Sequence, residues 1–452
     1  MHEFSGFPKN FSYTVKQLNS FSKTCVKLTP DKWNNVGASE TIRVKLPPNA
    51  LVDLRTLSMY FNGTAQASAG SVHFPRLSSS LIEQMSIYVN GTMIESIQNY
   101  NVLYNTIFDM HCSSLDQHSK RSLENIDPSI HYKFGANDIV EATDATQAAT
   151  DSDTNRKMMI NHWLGFISST TTPVIDTNDL SDVYLEIRFA SPNILWAGSA
   201  GATAPITYSL SDIRFTISKI VFNNPDYYNM KASKLLGDGL LIGYQTYTGN
   251  KSSEVNKASS LSYTINMNST SLDQIIATFH DKDYNTLNPL QLSGSTDDSV
   301  QSHFTRILTD FPAETFNNSI YFKRNAIGLT QSSFEINNVM MNSYGLPPEE
   351  VFNETLISLG NENLDFASGI SAGCLSLTHF MKYYFCHVLS LENISQNDSF
   401  YKSGLDGRAA SMTINWKTSF VSNLQDKCTP ILFCKTTRLL QINEAHQITV
   451  IV

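Results

Sequence analysis

The chain has 452 residues, which is too long for one ordinary core and suits two domains of about 200 residues each. It is 41% hydrophobic and 11% aromatic, and this apolar content excludes a chain that is disordered throughout. Only 16% of the residues are charged and the net charge is −9, so the surface as a whole repels nucleic acid.

The N-terminal segment, residues 1–35, departs from this negative balance with a local charge of +3. We predict an N-terminal arm over these residues, with a possible first strand of a sandwich at 23–28. Scattered lysines most often mark a solvated arm, and the alternative is an arm that contacts phosphate or a neighbouring subunit. The five lysines of the arm are Lys9, Lys16, Lys23, Lys27 and Lys32.

Alternation of apolar and polar residues with a period of two dominates the rest of the chain. It is clear at 41–46, 183–189 and 211–222. Such alternation indicates strands with one face in a core and one face in water. The most apolar run, 375–391, is too short to span a bilayer and predicts a long strand buried on both faces. Many short strands separated by Asn, Gly, Ser and Pro favour an all-β sandwich or barrel.

A hairpin followed by a short helix stands near the centre of the first half. The sequence SIYVNGTMIES (86–96) predicts two strands joined by a tight turn at Asn90 and Gly91, because both residues accept a positive φ. A helix is predicted directly after it at 101–110, where apolar residues recur with helical spacing.

The same pattern returns 247 residues later. The sequence SSFEINNVMMNS (332–343) predicts a second hairpin, with its turn at Asn337 and Asn338. The helix after it, at 347–360, begins with two prolines and ends at a glycine, which are ordinary start and stop signals.

The two halves also match upstream and downstream of the hairpin, which indicates a duplication. Residues 41–57 match 263–278 at an offset of 221, and each half ends in a long strand, near 206–222 and 429–442. The change of offset predicts a loop about 26 residues longer in the second half, between about 281 and 330. Each half thus contains about eight predicted strands.

The predicted fold is all-β: two tandem eight-stranded antiparallel jelly rolls, over 22–232 and 233–452, each with a short helix after the sixth strand. This architecture resembles the double jelly-roll major capsid proteins of tailless icosahedral phages, adenovirus-type hexons, virophages and polinton-like viruses. The resemblance covers nearly the whole chain and rests on the order of the elements, since no short motif defines the family. It implies a structural protein and not an enzyme.

The resemblance implies further that three chains form a pseudo-hexameric capsomer in the shell of an icosahedral DNA virus. Such a homotrimer contacts neighbouring capsomers, minor capsid proteins and penton proteins, and is found in the virion after assembly inside the host cell. The N-terminal arm has a possible contact with an inner membrane or the genome. Loops near 63–82 and 281–330 project outward, and 113–158 is an exposed insertion. No cofactor and no small-molecule substrate is implied.

Patterns for chemistry are weak, and we predict no catalytic, cofactor-binding or metal-ligating residue. Gly237, Gly239 and Gly243 miss the dinucleotide-binding spacing by one residue and predict a linker and turn. Four aspartates of the long second-half loop lack the pattern of a calcium loop and predict an exposed surface loop instead. They are Asp281, Asp283, Asp297 and Asp298.

Histidine and cysteine give no metal-binding spacing either. The neighbours His111 and Cys112, and Cys386 and His387, point to opposite faces of a strand and are predicted to be core or interface residues. The six cysteines contain no C-x-x-C pair, and the first residues contain no apolar signal-peptide segment. We therefore predict buried free thiols from a reducing compartment.

Two other function classes fit an all-β chain. The first alternative is a carbohydrate-binding or carbohydrate-cleaving protein made of two β-sandwiches, which requires clustered aromatics or a pair of carboxylates. The second is a receptor-binding fibre or spike, a class that usually shows fibrous repeats or a secretion signal, and the sequence shows neither. Against the first stands the scatter of the four tryptophans, Trp33, Trp163, Trp196 and Trp416.

Overall fold

The structure is a computed structural model of the whole chain, and it describes most of the residues from 21 onward. The described residues are 21–69, 72–75, 77–111, 155–197, 203–222, 225–237, 239–281, 320–359, 377, 380–381, 384–392, 404–407, 412–421, 426–443 and 447–451. The predicted insertion at 113–158 and the long loop at 281–330 lie largely outside these ranges, as does Cys112.

Strands make up most of the described residues of both halves. The strands of the first half are β1 (Phe21–Leu28), β2 (Val36–Gly37), β3 (Thr41–Lys45), β4 (Leu51–Ala69), β5 (Val72–His73), β6 (Ile82–Val89), β7 (Thr92–Gln98), β8 (Arg156–Ile160), β9 (Val174–Asp176), β10 (Val183–Phe189), β11 (Trp196–Ala197) and β12 (Thr203–Phe222). Those of the second half are β13 (Leu240–Lys251), β14 (Val255–Asn256), β15 (Leu261–Met267), β16 (Leu272–Asp281), β17 (Leu329–Ile336), β18 (Val339–Met340), β19 (His387–Ser390), β20 (Met412–Phe420), β21 (Lys427–Ile442) and β22 (Ile448–Ile451).

Helices are few among the described residues. Those with four or more described residues are α1 (Tyr100–His111), α2 (Phe166–Ser169), α3 (Thr177–Leu180), α4 (Pro225–Leu236) and α5 (Pro348–Ser358), with short 3-10 turns at Ser78–Leu81, Pro192–Ile194 and Ile320–Phe322. The two predicted helices are α1 and α5. None of these described helices is long and apolar enough to cross a membrane.

The first half folds into two main antiparallel sheets. One contains the strands in the order β1-β12-β4-β8, and the other contains them in the order β3-β10-β6-β7. The second half repeats both, as β13-β21-β16-β19 and β15-β20-β17-β18. Each half therefore distributes eight main strands over two layers in the interleaved order of a jelly roll, and the predicted fold class is confirmed.

The short strands of the halves also correspond. β2 pairs with β12 in the first half, and β14 pairs with β21 in the second. In each half the helix follows the hairpin, as predicted, but the numbering needs a correction. When the eight main strands are counted without β2 or β14, the helix comes after the fifth strand and not after the sixth.

Both hairpins turn where the sequence predicts. Asn90 and Gly91 have φ values of 49° and 78°, and Asn337 and Asn338 have values of 50° and 65°. Two consecutive positive φ angles define the turn whose twist matches that of the flanking strands. Asn occupies three of these four positions because it tolerates the left-handed region better than other residues with a side chain.

One strand prediction is wrong. The run 375–391 was expected to be a single buried strand, but its described residues include helical positions at 377 and 380–381, and only β19 is a strand. The run is apolar because Phe380 and Phe385 fill the core of the second half, where the ring of Phe385 stacks on that of Phe279. An apolar run alone does not separate a buried helix from a buried strand.

The halves meet in sequence between β12 and β13. Among the described strands, none that ends before residue 223 pairs with one that begins after residue 239. The predicted domain limits, 22–232 and 233–452, stay a prediction, and the boundary between them falls inside α4. The predicted arm, 1–35, overlaps β1, whose eight residues all pair with β12.

Candidate functional site

The described His, Cys, Asp and Glu side chains are the possible ligands of a metal ion. Among the described residues, no group of three or more His, Cys, Asp and Glu side chains could hold a metal ion. Asp281 is the last residue of β16, is 6% exposed and lies 3.1 Å from the Lys323 ammonium. The prediction of an exposed loop is therefore wrong at Asp281, because its ion pair lets the carboxylate be buried. Asp283, Asp297 and Asp298 lie outside the described residues.

The three glycines at the centre of the chain do not form a phosphate-binding loop. Gly237 and Gly239 lie between α4 and β13, and the φ of Gly239 is 79°, as a turn requires. Gly243, in contrast, is buried inside β13, and its N–H donates to Thr171 Oγ1 at 3.1 Å. The prediction of a linker and turn is therefore wrong for Gly243, which belongs to a strand that contacts the other half.

A buried polar chain in the second half deserves comparison with a hydrolase triad. Trp416 Nε1–H donates to Ser332 Oγ at 2.9 Å, and Ser332 Oγ lies 2.7 Å from His387 Nδ1. His387 Nε2 lies 2.9 Å from Glu354 Oε2. Burial lowers the pKa of His387, while the neighbouring Glu354 acts to raise it. A neutral His387 with its proton on Nε2 satisfies every contact in the chain.

These hydrogen-bonded side chains stabilise the core of the second half and are not arranged to attack a substrate. Ser332 is 1% exposed, so a substrate cannot reach its Oγ, which is already occupied by the Trp416 N–H. The four side chains connect β17, β20, β19 and α5 across the core. Cys386 and His387 are predicted to be core or interface residues, and both are buried in the core. Sequence patterns missed Ser332 and Glu354, because their proximity to His387 exists only in three dimensions.

The thiols and the tryptophans offer no clustered site among the residues described. Cys386, Cys428 and Cys434 are buried, as predicted, and burial raises the pKa of Cys386 to about 12. Cys25 on β1 is exposed, which corrects the prediction of buried thiols at that position. Trp163 and Trp416 are buried while Trp33 is 52% exposed. These three tryptophans therefore form no flat platform for a sugar ring.

The contact between the two halves contains several hydrogen bonds. Hydrogen bonds join residues 169–171 to residues 243–245: the Thr171 N–H donates to the Gly243 carbonyl at 2.8 Å, and the Gln245 N–H donates to the Ser169 side-chain Oγ at 2.9 Å. The Tyr244 hydroxyl donates to the Ile94 carbonyl at 2.9 Å. β13 is thereby held against β7 and against α2 with its following residues.

Glu95 lies at the centre of this contact and is 1% exposed. The Phe166 N–H donates to both of its carboxyl oxygens, at 3.0 and 3.1 Å. Burial raises the pKa of Glu95 to about 7, although hydrogen bonds from Thr246 and Phe166 and the charge of Arg438 act to lower it. Desolvation thus outweighs three favourable contacts at this position.

Gly165 makes room for that carboxylate. Its φ is 74°, and a Cβ at this position would overlap the Glu95 carboxyl group. Glycine is therefore required twice, for the left-handed backbone and for the close approach. The Glu95 carboxyl group is buried and has hydrogen-bond partners from both halves, so it helps to join the two halves.

The chain is similar to known proteins in structure and not in sequence. No protein-family model matches the chain, and no curated protein matches it in sequence. PBCV-1 VP54, in its crystal structure fitted into a reconstruction of the virophage Sputnik, superposes with a TM-score of 0.58 at 12% identity, covering 96% of this chain and 97% of that one.

Two further viral proteins match over similar lengths. The Sputnik virophage structure gives a TM-score of 0.55 at 10% identity, covering 95% of this chain and 88% of that chain. The Faustovirus major capsid protein gives 0.52 at 10% identity, covering 93% and 90%. Identities this low establish the fold alone. The chain therefore has the tandem jelly-roll fold that these viral proteins share, as the resemblance in sequence architecture predicted.

Proposed function

We propose that the chain is the major capsid protein of an icosahedral DNA virus, with three copies forming a pseudo-hexameric capsomer. The observation that carries this proposal is the match of both jelly rolls, over 93% of the chain, to the Faustovirus major capsid protein. The duplicated sheets supply a physical reason, because three chains with two similar domains each present six similar walls. Six similar walls make a tile that packs in a shell.

The other parts of the proposal follow from that role. The protein is located in the virion after assembly in the host cell, and it contacts neighbouring capsomers, minor capsid proteins and penton proteins. The N-terminal arm, 1–35, contacts the inner membrane or the genome. Part of its positive charge is offset, since Lys23 lies 3.4 Å from Asp53 and Lys32 lies 3.6 Å from Glu40. The protein is not an enzyme and takes no small-molecule substrate.

The mass of the purified protein in solution tests the proposal. Light scattering coupled to size-exclusion chromatography should give about three times the chain mass of 50.4 kDa. Negative-stain images should then show hexagonal particles. A monomer that stays stable at all concentrations would contradict a capsomer. Glycan binding or release of reducing sugar by such a monomer would instead support the carbohydrate alternative.

A further inference from the structure

The contact between the halves joins two particular surfaces, and each of them has a counterpart elsewhere in the chain. The first is β7, the edge strand of the sheet β3-β10-β6-β7, and the second is β13, the edge strand of the sheet β13-β21-β16-β19. Contacts follow the two strands in parallel order: Tyr244 reaches Ile94, and Gly249 approaches the Gln98 carbonyl so closely that a Cβ would lie 2.7 Å from it.

The counterpart of β7 in the second half is β18 with the residues that follow it. The offset of 247 places Asn342 at the position of Glu95 and Tyr344 at the position of Ile97. Glu95 is 1% exposed and Ile97 is fully buried, whereas Asn342 is half-buried and Tyr344 is 53% exposed. The same edge is thus covered in the first half and open in the second.

The counterpart of β13 in the first half is β1. In each half, one residue of the last strand pairs on one side with the first strand and on the other side with the first residue of the third main strand. In the first half Ile220 pairs with Lys23 and with Leu51, and in the second half Thr436 pairs with Thr246 and with Leu272. Lys23 therefore corresponds to Thr246, and Cys25 corresponds to Thr248. Thr246 is 1% exposed beneath the hairpin, whereas 22–25 and Lys27 are exposed.

We propose that β1 of one copy docks against the edge 341–344 of the next copy, repeating between chains the contact that β13 and β7 make within one chain. The proposal rests on the capsomer proposed above and names the surfaces that close it. A contact between two different surfaces is head-to-tail, and such a contact generates a ring when its rotation closes. The chain supplies one of each surface, so every copy contacts two neighbours.

Charge and register support β1 of a second copy as the segment that docks at 341–344. The exposed face of β1 carries Lys23 and Lys27, and the edge 341–344 lies beside exposed Glu349 and Glu350 at the start of α5. The Tyr344 hydroxyl donates to Glu350 Oε2 at 2.6 Å, which fixes the tyrosine next to these carboxylates. Opposite charges on two surfaces favour their encounter and set their register.

The intrachain contact also predicts which residues meet. Thr246 hydrogen-bonds Glu95, and Gly249 approaches Gln98. From this parallel order we infer that Thr248, which is exposed, lies at the level of Ile97. Replacing Thr248 and Ile97 by their counterparts places Cys25 of one copy beside Tyr344 of the next. The exposed thiol of Cys25 is thus a native reporter of the contact.

A disulfide test follows directly. The Tyr344→Cys variant should form an interchain disulfide with Cys25 under mild oxidation, giving bands at about two and three chain masses on a non-reducing denaturing gel. Removing the native thiol, in Tyr344→Cys with Cys25→Ser, should abolish these bands. The matched control is Met93→Cys, an equally exposed position of the first hairpin at 53%, which should give no such bands.

Charge variants test the same contact without a covalent bond. Tyr344→Lys places a cation opposite Lys23 and Lys27 and should shift the assembly from trimer to monomer, whereas Tyr344→Glu should keep the trimer. Met93→Lys should also keep it. Circular dichroism matching that of the wild type excludes a folding defect, since Tyr344 is a surface residue.

The outcomes separate this inference from the proposed function. A wild-type trimer in which Tyr344→Cys forms no bond with Cys25, or in which Tyr344→Lys stays trimeric, overturns the proposed contact and leaves the capsomer intact. Bands that persist without Cys25 overturn it as well. A wild-type chain that is monomeric at every concentration overturns the capsomer and, with it, this contact.

Discussion

The two hairpins begin alike and end differently. Both turn through two residues of positive φ, yet β7 continues for seven residues and β18 for only two. In the first half the edge is covered by β13, and a carboxyl group, Glu95, is buried there. In the second half the edge is open, and an amide, Asn342, takes the same place and lies 3.4 Å from Glu354.

The difference shows what a duplicated domain must adjust when one copy of a surface is covered within the chain. A covered edge excludes water, so every polar group on it needs a hydrogen-bond partner within the protein. Glu95 obtains the Phe166 N–H and Thr246. An edge that is open in the single chain keeps side chains that are stable in water, and β1 fits that description as well.

The largest effect is expected from Gly165→Ala, which disturbs the covered edge directly. The new Cβ would overlap the Glu95 carboxyl group, and the alanine would have to adopt a φ of 74°. We expect a loss of more than about 3 kcal/mol in the free energy of unfolding, since strain and overlap add. Denaturant unfolding at one protein concentration measures it.

The matched control for that variant is Gly91→Ala. Gly91 has a similar φ, 78°, but a Cβ there has no neighbour within 4 Å. The control should cost only the backbone strain, about 1 kcal/mol. If the two variants were equally destabilised, the overlap with Glu95 would contribute nothing, and the explanation of Gly165 would be incorrect.

The next effect concerns pH, and Glu95→Gln removes its source. Because the pKa of Glu95 is raised from 4.5 to about 7 in the folded protein, the folded state holds the proton more tightly than the unfolded state. The contribution of Glu95 to stability is therefore complete below about pH 4.5 and falls as pH rises towards 7. The neutral amide has no such loss.

Relative to wild type, Glu95→Gln should gain on the order of 3 kcal/mol in the free energy of unfolding between pH 4.5 and pH 8. Tyr244 and Arg438 face the same carboxyl group and are unchanged in the variant. Urea unfolding of both proteins across this range measures the difference. The control is Gln98→Glu, which adds an exposed carboxyl to the same strand and should follow the wild-type profile. A constant difference between Glu95→Gln and wild type would contradict a raised pKa.

A smaller effect is expected at the buried polar chain, which distinguishes the core of the second half. The residue 247 positions before Ser332 is Met85, which is fully buried, so the first half fills this place with an apolar side chain. Ser332→Ala removes the partner of the Trp416 N–H and of His387 Nδ1 and should cost about 2 kcal/mol.

Thr330→Ala is the control for Ser332→Ala on the same strand. Thr330 is exposed, and its hydroxyl donates to the Ser419 carbonyl at 3.0 Å. Its loss should cost no more than about 0.5 kcal/mol, because water replaces the lost hydrogen bond. Hydrolysis of a generic ester by the wild type that is lost in Ser332→Ala would contradict a purely structural role for the chain.

Sequence patterns were sufficient for the fold because each step rests on local rules. Period-two alternation located β3, β10 and β12, and two Asn-rich turns aligned the halves. The same rules failed at 375–391, where helical and extended residues are equally apolar. They failed at Gly243 too, because the sequence does not distinguish a glycine in a closely approached strand from a glycine in a turn.

The candidate sites were beyond the reach of the sequence for a different reason. Glu95 contacts Phe166 from 71 residues away, and Ser332 contacts His387 from 55 residues away. No local pattern marks such pairs, since the two jelly rolls bring them together by their topology. Gly165 offered no local signal either, because its need for space depends on where Glu95 lies.

The smallest effect is expected from making the second turn identical to the first. Asn338 has a φ of 65°, and the residue at its place in the first hairpin is Gly91. Asn338→Gly relieves the strain of a side chain in the left-handed region but makes the unfolded chain more flexible. The net gain should be about 0.5 kcal/mol, and the reverse exchange, Gly91→Asn, should lose a similar amount. Thermal unfolding of both variants, compared with wild type, measures it. Equal destabilisation by the two exchanges would show that neighbouring contacts, and not the turn geometry, decide the residue at this position.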